Sequence, residues 1–306
     1  MSTPMTPPLQ PSRALLNVTL GALLLGGFAA AILFGILSQQ CFTFFRIFTR
    51  EGPVMKFSVV VLWATATAHL GLAIYSDYTV TITEIGLLSG RAPATIAAIV
   101  ATTGFADVIV RVWFMHRLWI LGEKRPILQV LPIACNMTIL GGTAYFSVAM
   151  ARTGSLDFSP KLTHVFVALI ALAVAMDFYI AIGICFFLWR QRSKITYRRT
   201  RDIVTTIMIY TVNTGLITGF AWAICLITHL TMPNNYISLG IYASLSDLYT
   251  ICLLASLNAR EVLRAEDARG ESTAPMSSFR IAMPSRSADS TPDRTPARQI
   301  ESKYDV

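Results

Sequence analysis

The chain has 306 residues, of which 54% are hydrophobic and only 14% charged, with a formal net charge of +8 and a mean hydropathy of +0.57. Soluble globular domains carry about 25% charged residues, so this composition excludes an ordinary soluble protein and makes the lipid bilayer the first expected partner. The cations are scattered among apolar runs without a basic domain or recognition motif, so nucleic acid is not an expected partner.

The N-terminal stretch MSTPMTPPLQPS lacks a basic n-region and runs straight into an apolar segment too long for a signal-peptide h-region. The first segment therefore reads as a retained span behind a short outer segment, residues 1–14. Crossing about 30 Å of hydrocarbon takes roughly 20 mostly apolar residues. Seven runs qualify in chain order: Leu15–Ser38, Val54–Tyr75, Ala94–His116, Ile127–Met150, Thr163–Trp189, Ile203–Leu230 and Tyr236–Leu257. Hydrocarbon offers no partners to backbone N–H and C=O groups, so each run is expected to be helical. The predicted fold is an all-α membrane protein, a seven-transmembrane helix bundle over residues 15–264.

Eleven basic residues in the loops after the first, third and fifth runs, with Lys56 at the start of the second run, make twelve on one face, against four (Arg13, Arg91, Arg152 and Lys161) on the opposite face. The positive-inside rule then puts the N-terminus outside and the C-terminus in the cytoplasm. The densest basic run, RQRSKITYRRTR, supplies Arg190, Arg192, Lys194, Arg198, Arg199 and Arg201. It is a candidate docking surface for a cytoplasmic effector or anionic lipid, although an orientation signal in a solvated loop is the favoured explanation. The five cysteines fall within runs or at an inner edge, with no CxxC pair, and read as packing residues. From about Ala265 to Val306 the chain turns Ser, Thr, Pro and Arg rich. It cannot bury enough apolar surface to offset its ordering entropy, so a disordered cytoplasmic tail is expected. Thr291 and Thr295, each before a proline, are candidate phosphorylation sites in that tail.

Three stretches carry a family resemblance: YTVNTGLITG (210–219), TMPNNYISLGIYASLSDLY (231–249) and LLASLNAR (253–260). They resemble the C-terminal signature of a family of multi-pass membrane proteins from mushroom-forming fungi, defined by domain of unknown function 6534. The resemblance covers roughly residues 177–264 and, more loosely, the N-terminal runs. It implies a seven-helix membrane protein and no particular activity.

Polar residues inside the runs are the candidate functional groups. At 1.5 Å per helical residue from the inner ends, Arg111 lies roughly 7 Å deep, Asp107 about 14, Asn213 and Asp247 about 15, Asp177 about 18 and His69 about 19. A charge at that depth costs about 2.5–3.5 kcal/mol even on lenient insertion scales, so such groups face a cavity or one another. Asp107 and Arg111, four residues apart, are a candidate intrahelical ion pair, with Arg111 shallow enough to snorkel to the inner surface. Asp177 and Asp247 have no cation on their own helices. With Asn213 and His69 they form a candidate mid-membrane polar site in which the two carboxyl groups approach one another.

No cofactor or metal is expected. The last run has no Lys for a retinal Schiff base, and the four histidines sit on four different helices rather than at metal-ligand spacing. No GxSxG or similar nucleophile motif is present, and no enzymatic activity is expected. The favoured reading is a receptor-like or sensory protein, more at home in the plasma membrane than an internal one, with a small-molecule or lipid ligand reaching the polar layer from outside. The alternatives are a small-solute or proton-coupled transporter and a structural membrane protein without a small-molecule site.

Overall fold

The computed structural model describes the backbone of residues 13–47, 52–79, 92–153, 160–194, 198–232 and 237–269, and side chains within 21–46, 52–79, 94–152, 161–190, 215–232 and 237–259. Among the described residues every regular element is a helix. The helices are α1 (Arg13–Ile47), α2 (Pro53–Tyr78), α3 (Ala92–Leu121), α4 (Ile127–Thr153), α5 (Pro160–Lys194), α6 (Arg198–Thr231) and α7 (Ile237–Arg269). All but α6 contain a described stretch of 23 to 30 residues long and apolar enough to cross a membrane, and α6 is apolar over Gly215–Thr231.

Local sequence explains where several helices begin and end. Pro53 starts α2, at a position where its missing N–H and fixed φ cost nothing. Helix α3 stops after Leu121, where Glu123 and Lys124 turn left-handed (φ 58° and 59°). The Lys124 N–H then donates to the Trp119 carbonyl at 3.0 Å, satisfying one of the terminal acceptors.

Two boundaries differ from those the sequence suggested. The basic run 190–201 is mostly the adjoining ends of α5 and α6, separated by residues 195–197. A helix leaving hydrocarbon has no reason to unwind at the last apolar residue, because polar residues sustain it in water. For the same reason α7 continues to Arg269, past Ala265, where the tail was expected to begin. The tail candidates Thr291 and Thr295 lie outside the described residues.

Helices α3 and α7 form the centre of the bundle: 56% and 61% of their apolar windows are buried, against 17% for α1 and α4. Large apolar side chains such as Leu25, Ile32, Ile127 and Ile182 point outward, as a lipid-facing surface requires. Inside, one hydrophobic cluster gathers around Phe44, Val110, Ile184 and Leu253. A second gathers around Val100, Phe146, Trp222 and Tyr242. The buried charged groups lie near the junction of the two.

Helix α1 crosses α7 with backbone nearly in contact. A Cβ built on Gly26 would stand 2.5 Å from Gly240 Cα, and one on Gly240 would overlap the Ala22 carbonyl oxygen. Small residues allow this approach, on which helix association in lipid depends. The obstruction is backbone, which no rotamer change can relieve. Gly240→Val is therefore expected to lower stability by about 1–3 kcal/mol. Unfolding of the purified variant in detergent checks this, and wild-type stability would show that the helices can separate without loss.

Candidate functional site

Three central helices meet at one carboxylate. Arg111 Nε on α3 donates to Asp177 Oδ1 on α5 at 3.1 Å, and the Tyr249 hydroxyl on α7 donates to the same oxygen at 2.9 Å. The Arg111 guanidinium carbon lies 5.5 Å from the Tyr249 ring centroid, over its face. The paired side chains are 1% and 2% exposed. Each partner lowers the cost of keeping the others out of water: the carboxylate balances the guanidinium, while the ring covers the cation and its hydroxyl supports the anion.

This arrangement corrects two expectations about Arg111. Its ion-pair partner is Asp177 across the bundle, rather than Asp107 one turn back on its own helix. It also turns inward instead of snorkelling, at 1% exposure. The long guanidinium side chain can reach a neighbouring helix, whereas Asp107 is too short to follow it, and Asp177 with Tyr249 offers two stabilising contacts in place of one. Asp107 is itself 3% exposed, and its Oδ1 has no hydrogen-bond partner.

The expected approach of Asp177 to Asp247 is also corrected. Asp177 bonds to Arg111 and Tyr249, while Asp247 is fully buried with neither oxygen hydrogen-bonded. Helix geometry explains this: Asp247 and Tyr249 are two residues apart and so about 200° apart around α7. If Tyr249 faces Asp177, Asp247 faces away. His69 belongs to another contact set. Its Nε2 lies 2.8 Å from the Ala243 carbonyl, which can only accept, so Nε2 carries a hydrogen and donates it. Its Nδ1 lies 3.1 Å from Thr102 Oγ1. His69 thus ties α2 to α3 and α7. The Asn213 side chain lies outside the described residues, as do those of Arg192, Lys194, Arg198, Arg199 and Arg201; Arg190 is exposed.

Two cavities flank the ion pair. The larger offers about 30 Å³ to the centre of a water-sized sphere and is lined by Asp107 and Arg111, the rings of Phe146, Phe166, Trp222 and Tyr242, and apolar neighbours including Val100 and Ile170. The smaller, about 20 Å³ on the same measure, is lined by Asp177, Tyr249, Phe114, Ile184, Gly215 and Thr218 among others. Every shared helix gives the same order. The larger cavity takes residues 100–111 of α3, 166–173 of α5, 222 of α6 and 242 of α7. The smaller takes 114, 177–184, 215–218 and 249. Arg111, Asp177 and Tyr249 form the partition, and each cavity exceeds the roughly 10–15 Å³ that one water needs.

Charge inspection of the sequence identified Asp107, Arg111 and Asp177 but missed the aromatic groups that complete the site. Tyr249 stands two residues after Asp247 in an apolar helix and carries no charge to flag it. Asp77 was passed over because the second run was ended at Tyr75. Helix α2 continues to Tyr78, and the Asp77 carboxylate occupies the space where Gly27 of α1 would carry a Cβ. Among the described residues, no three of His, Cys, Asp or Glu gather as metal ligands.

A family model described as a family of unknown function, DUF6534, matches residues 173–262. That span holds Asp177, Trp222, Tyr242, Asp247 and Tyr249, but not Asp107, Arg111 or His69. No curated protein matches the chain.

Proposed function

We propose that this protein is a seven-span, receptor-like membrane protein without enzymatic activity, with its N-terminus outside and C-terminus in the cytoplasm of a plasma-membrane protein, and that a small ligand occupies the aromatic cavity. The supporting observation is that this cavity ends on Arg111, the residue that joins α3 to α5 and α7 through Asp177 and Tyr249. The basic asymmetry supports an outer position for that cavity relative to the ion pair. A ligand touching Arg111 changes how strongly it holds Asp177, and so biases the packing of three helices at once. Such a bias can be no larger than the ligand's difference in affinity between the two arrangements.

Thermal-shift screening of purified protein against metabolites, lipids and cations tests the reading. At least one ligand class is expected to stabilise the wild type, and Val100→Phe, which fills the cavity, is expected to abolish the shift. No stabilising class, or a shift that survives the filled cavity, would refute the site. Topology is tested separately: a reporter fused after Val306 should be inaccessible from outside intact cells.

The stacking of two cavities about one ion pair favours a second reading, a carrier that passes a solute or proton across the Arg111–Asp177 partition. Flux into proteoliposomes that is lost in Val100→Phe would select it over the receptor.

A further inference from the structure

We infer that the aromatic cavity takes a small organic ammonium, its positive charge seated against Asp107 within the ring of Phe146, Phe166, Trp222 and Tyr242. This rests on the reading of that cavity as a ligand site and names the ligand's chemistry.

Charge comes first. Two buried carboxylates, Asp107 and Asp177, share the single guanidinium of Arg111 at this level. The salt bridge goes to Asp177, which leaves Asp107 in the cavity wall with Oδ1 unbonded. When ionised, Asp107 carries a negative charge that no hydrogen bond to Arg111 balances, and a bound monovalent cation would favour that form. Arg117, the next basic residue along α3, does not serve, since its Nη1 is bonded to Ser256 at the far side of the partition.

The walls select an organic cation over a metal ion. Phe146 stacks with Phe166 at 5.2 Å between centroids, Phe166 meets Tyr242 at 5.8 Å, and Tyr242 meets Trp222 edge-on at 5.6 Å. Four touching rings thus line one cavity with a carboxylate. Ring faces attract ammonium groups through their quadrupoles, most strongly when water is excluded. Beside the Asp107 carboxylate the cavity's side chains offer only the Thr143 and Tyr242 hydroxyls as oxygen ligands, fewer than the roughly six or more that a hard ion such as Ca2+ takes.

Size sets the limit. If the space for water-sized sphere centres is taken as spherical, about 30 Å³ corresponds to a cavity roughly 3.3 Å in radius once the sphere's own radius is added. That admits a head group up to about the size of tetramethylammonium. Arg111 Nη1 and Nη2 are also buried without partners. A carboxylate could satisfy them, but it would add a second anion beside Asp107.

A panel on one carbon skeleton tests the inference in purified full-length protein: choline as cation, 3,3-dimethylbutan-1-ol as its neutral isostere, 3,3-dimethylbutanoate as anion and betaine as zwitterion, with tetramethylammonium as the bare head group. Choline and tetramethylammonium are expected to raise the unfolding temperature while the neutral alcohol and the anion do not. Asp107→Asn is expected to weaken choline binding by about tenfold or more. Should that variant fail to fold, the comparison of choline with its neutral isostere on the wild type stands by itself. Equal stabilisation by the alcohol, a preference for the anion or betaine, or choline binding unchanged in Asp107→Asn would each overturn the ammonium assignment while leaving a ligand site in place. A flat response to the panel would overturn it too, and the wider metabolite screen would then decide whether the cavity binds anything.

Discussion

Breaking the Arg111–Asp177 pair from one side is expected to destabilise the bundle by about 3–5 kcal/mol, the usual consequence of leaving a buried charge without its partner. Arg111→Met strands the Asp177 carboxylate with only the Tyr249 hydroxyl; Asp177→Leu leaves the guanidinium, at 1% exposure, with only Asp107 of the same cavity wall to balance it. The double variant removes both charges and is expected to lose less than the sum of the two. Over a double-mutant cycle the coupling should reach the upper part of the roughly 0.5–3 kcal/mol range seen for contacting residues. Tyr249→Phe removes one interhelical hydrogen bond and keeps the ring over Arg111, so a loss of only about 0.6–2 kcal/mol is expected. Reversible unfolding of the wild type and the four variants in one detergent measures all of this. Additive losses from the two charge variants would mean that the pair is not the clamp joining α3 to α5 and α7.

Most of this architecture is legible in the sequence, because the membrane imposes simple demands. Apolar runs of spanning length correspond to the helices, and counting residues from their ends placed Asp107, Asp177 and Asp247 near one level, where the structure shows the junction of two apolar clusters. Depth is a one-dimensional quantity that sequence supplies. Rotation about each helix axis is not, and every correction arises there. Asp247 was assigned to Asp177 by level alone, although Tyr249, about 200° round the same helix, holds that position. Arg111 was assigned to Asp107 by helical spacing, although a side chain of its length can reach a neighbouring helix. The aromatic lining was invisible for a different reason. Phe146, Phe166, Trp222 and Tyr242 come from four helices, and each alone reads as an ordinary core residue; only packing makes them one surface.

Neutralising Asp247 is expected to do the opposite of neutralising Asp177: Asp247→Asn should raise stability, because an ionised carboxyl is costlier to keep from water than the neutral amide that replaces it. The side chain is fully buried, and neither carboxylate oxygen has a hydrogen-bond partner. Substitution by the isosteric amide therefore breaks no bond and removes the costlier of the two groups to keep from water. Asp177→Asn, by contrast, withdraws the charge that balances Arg111 and should destabilise. The opposite signs separate the two acids without knowledge of any ligand. A residue that lowers stability where it stands is the kind retained for function rather than folding. Thermal unfolding of the two amide variants side by side is the measurement. If Asp247→Asn loses as much stability as Asp177→Asn, Asp247 has a stabilising partner in the folded protein, and its place as an uncompensated buried acid falls.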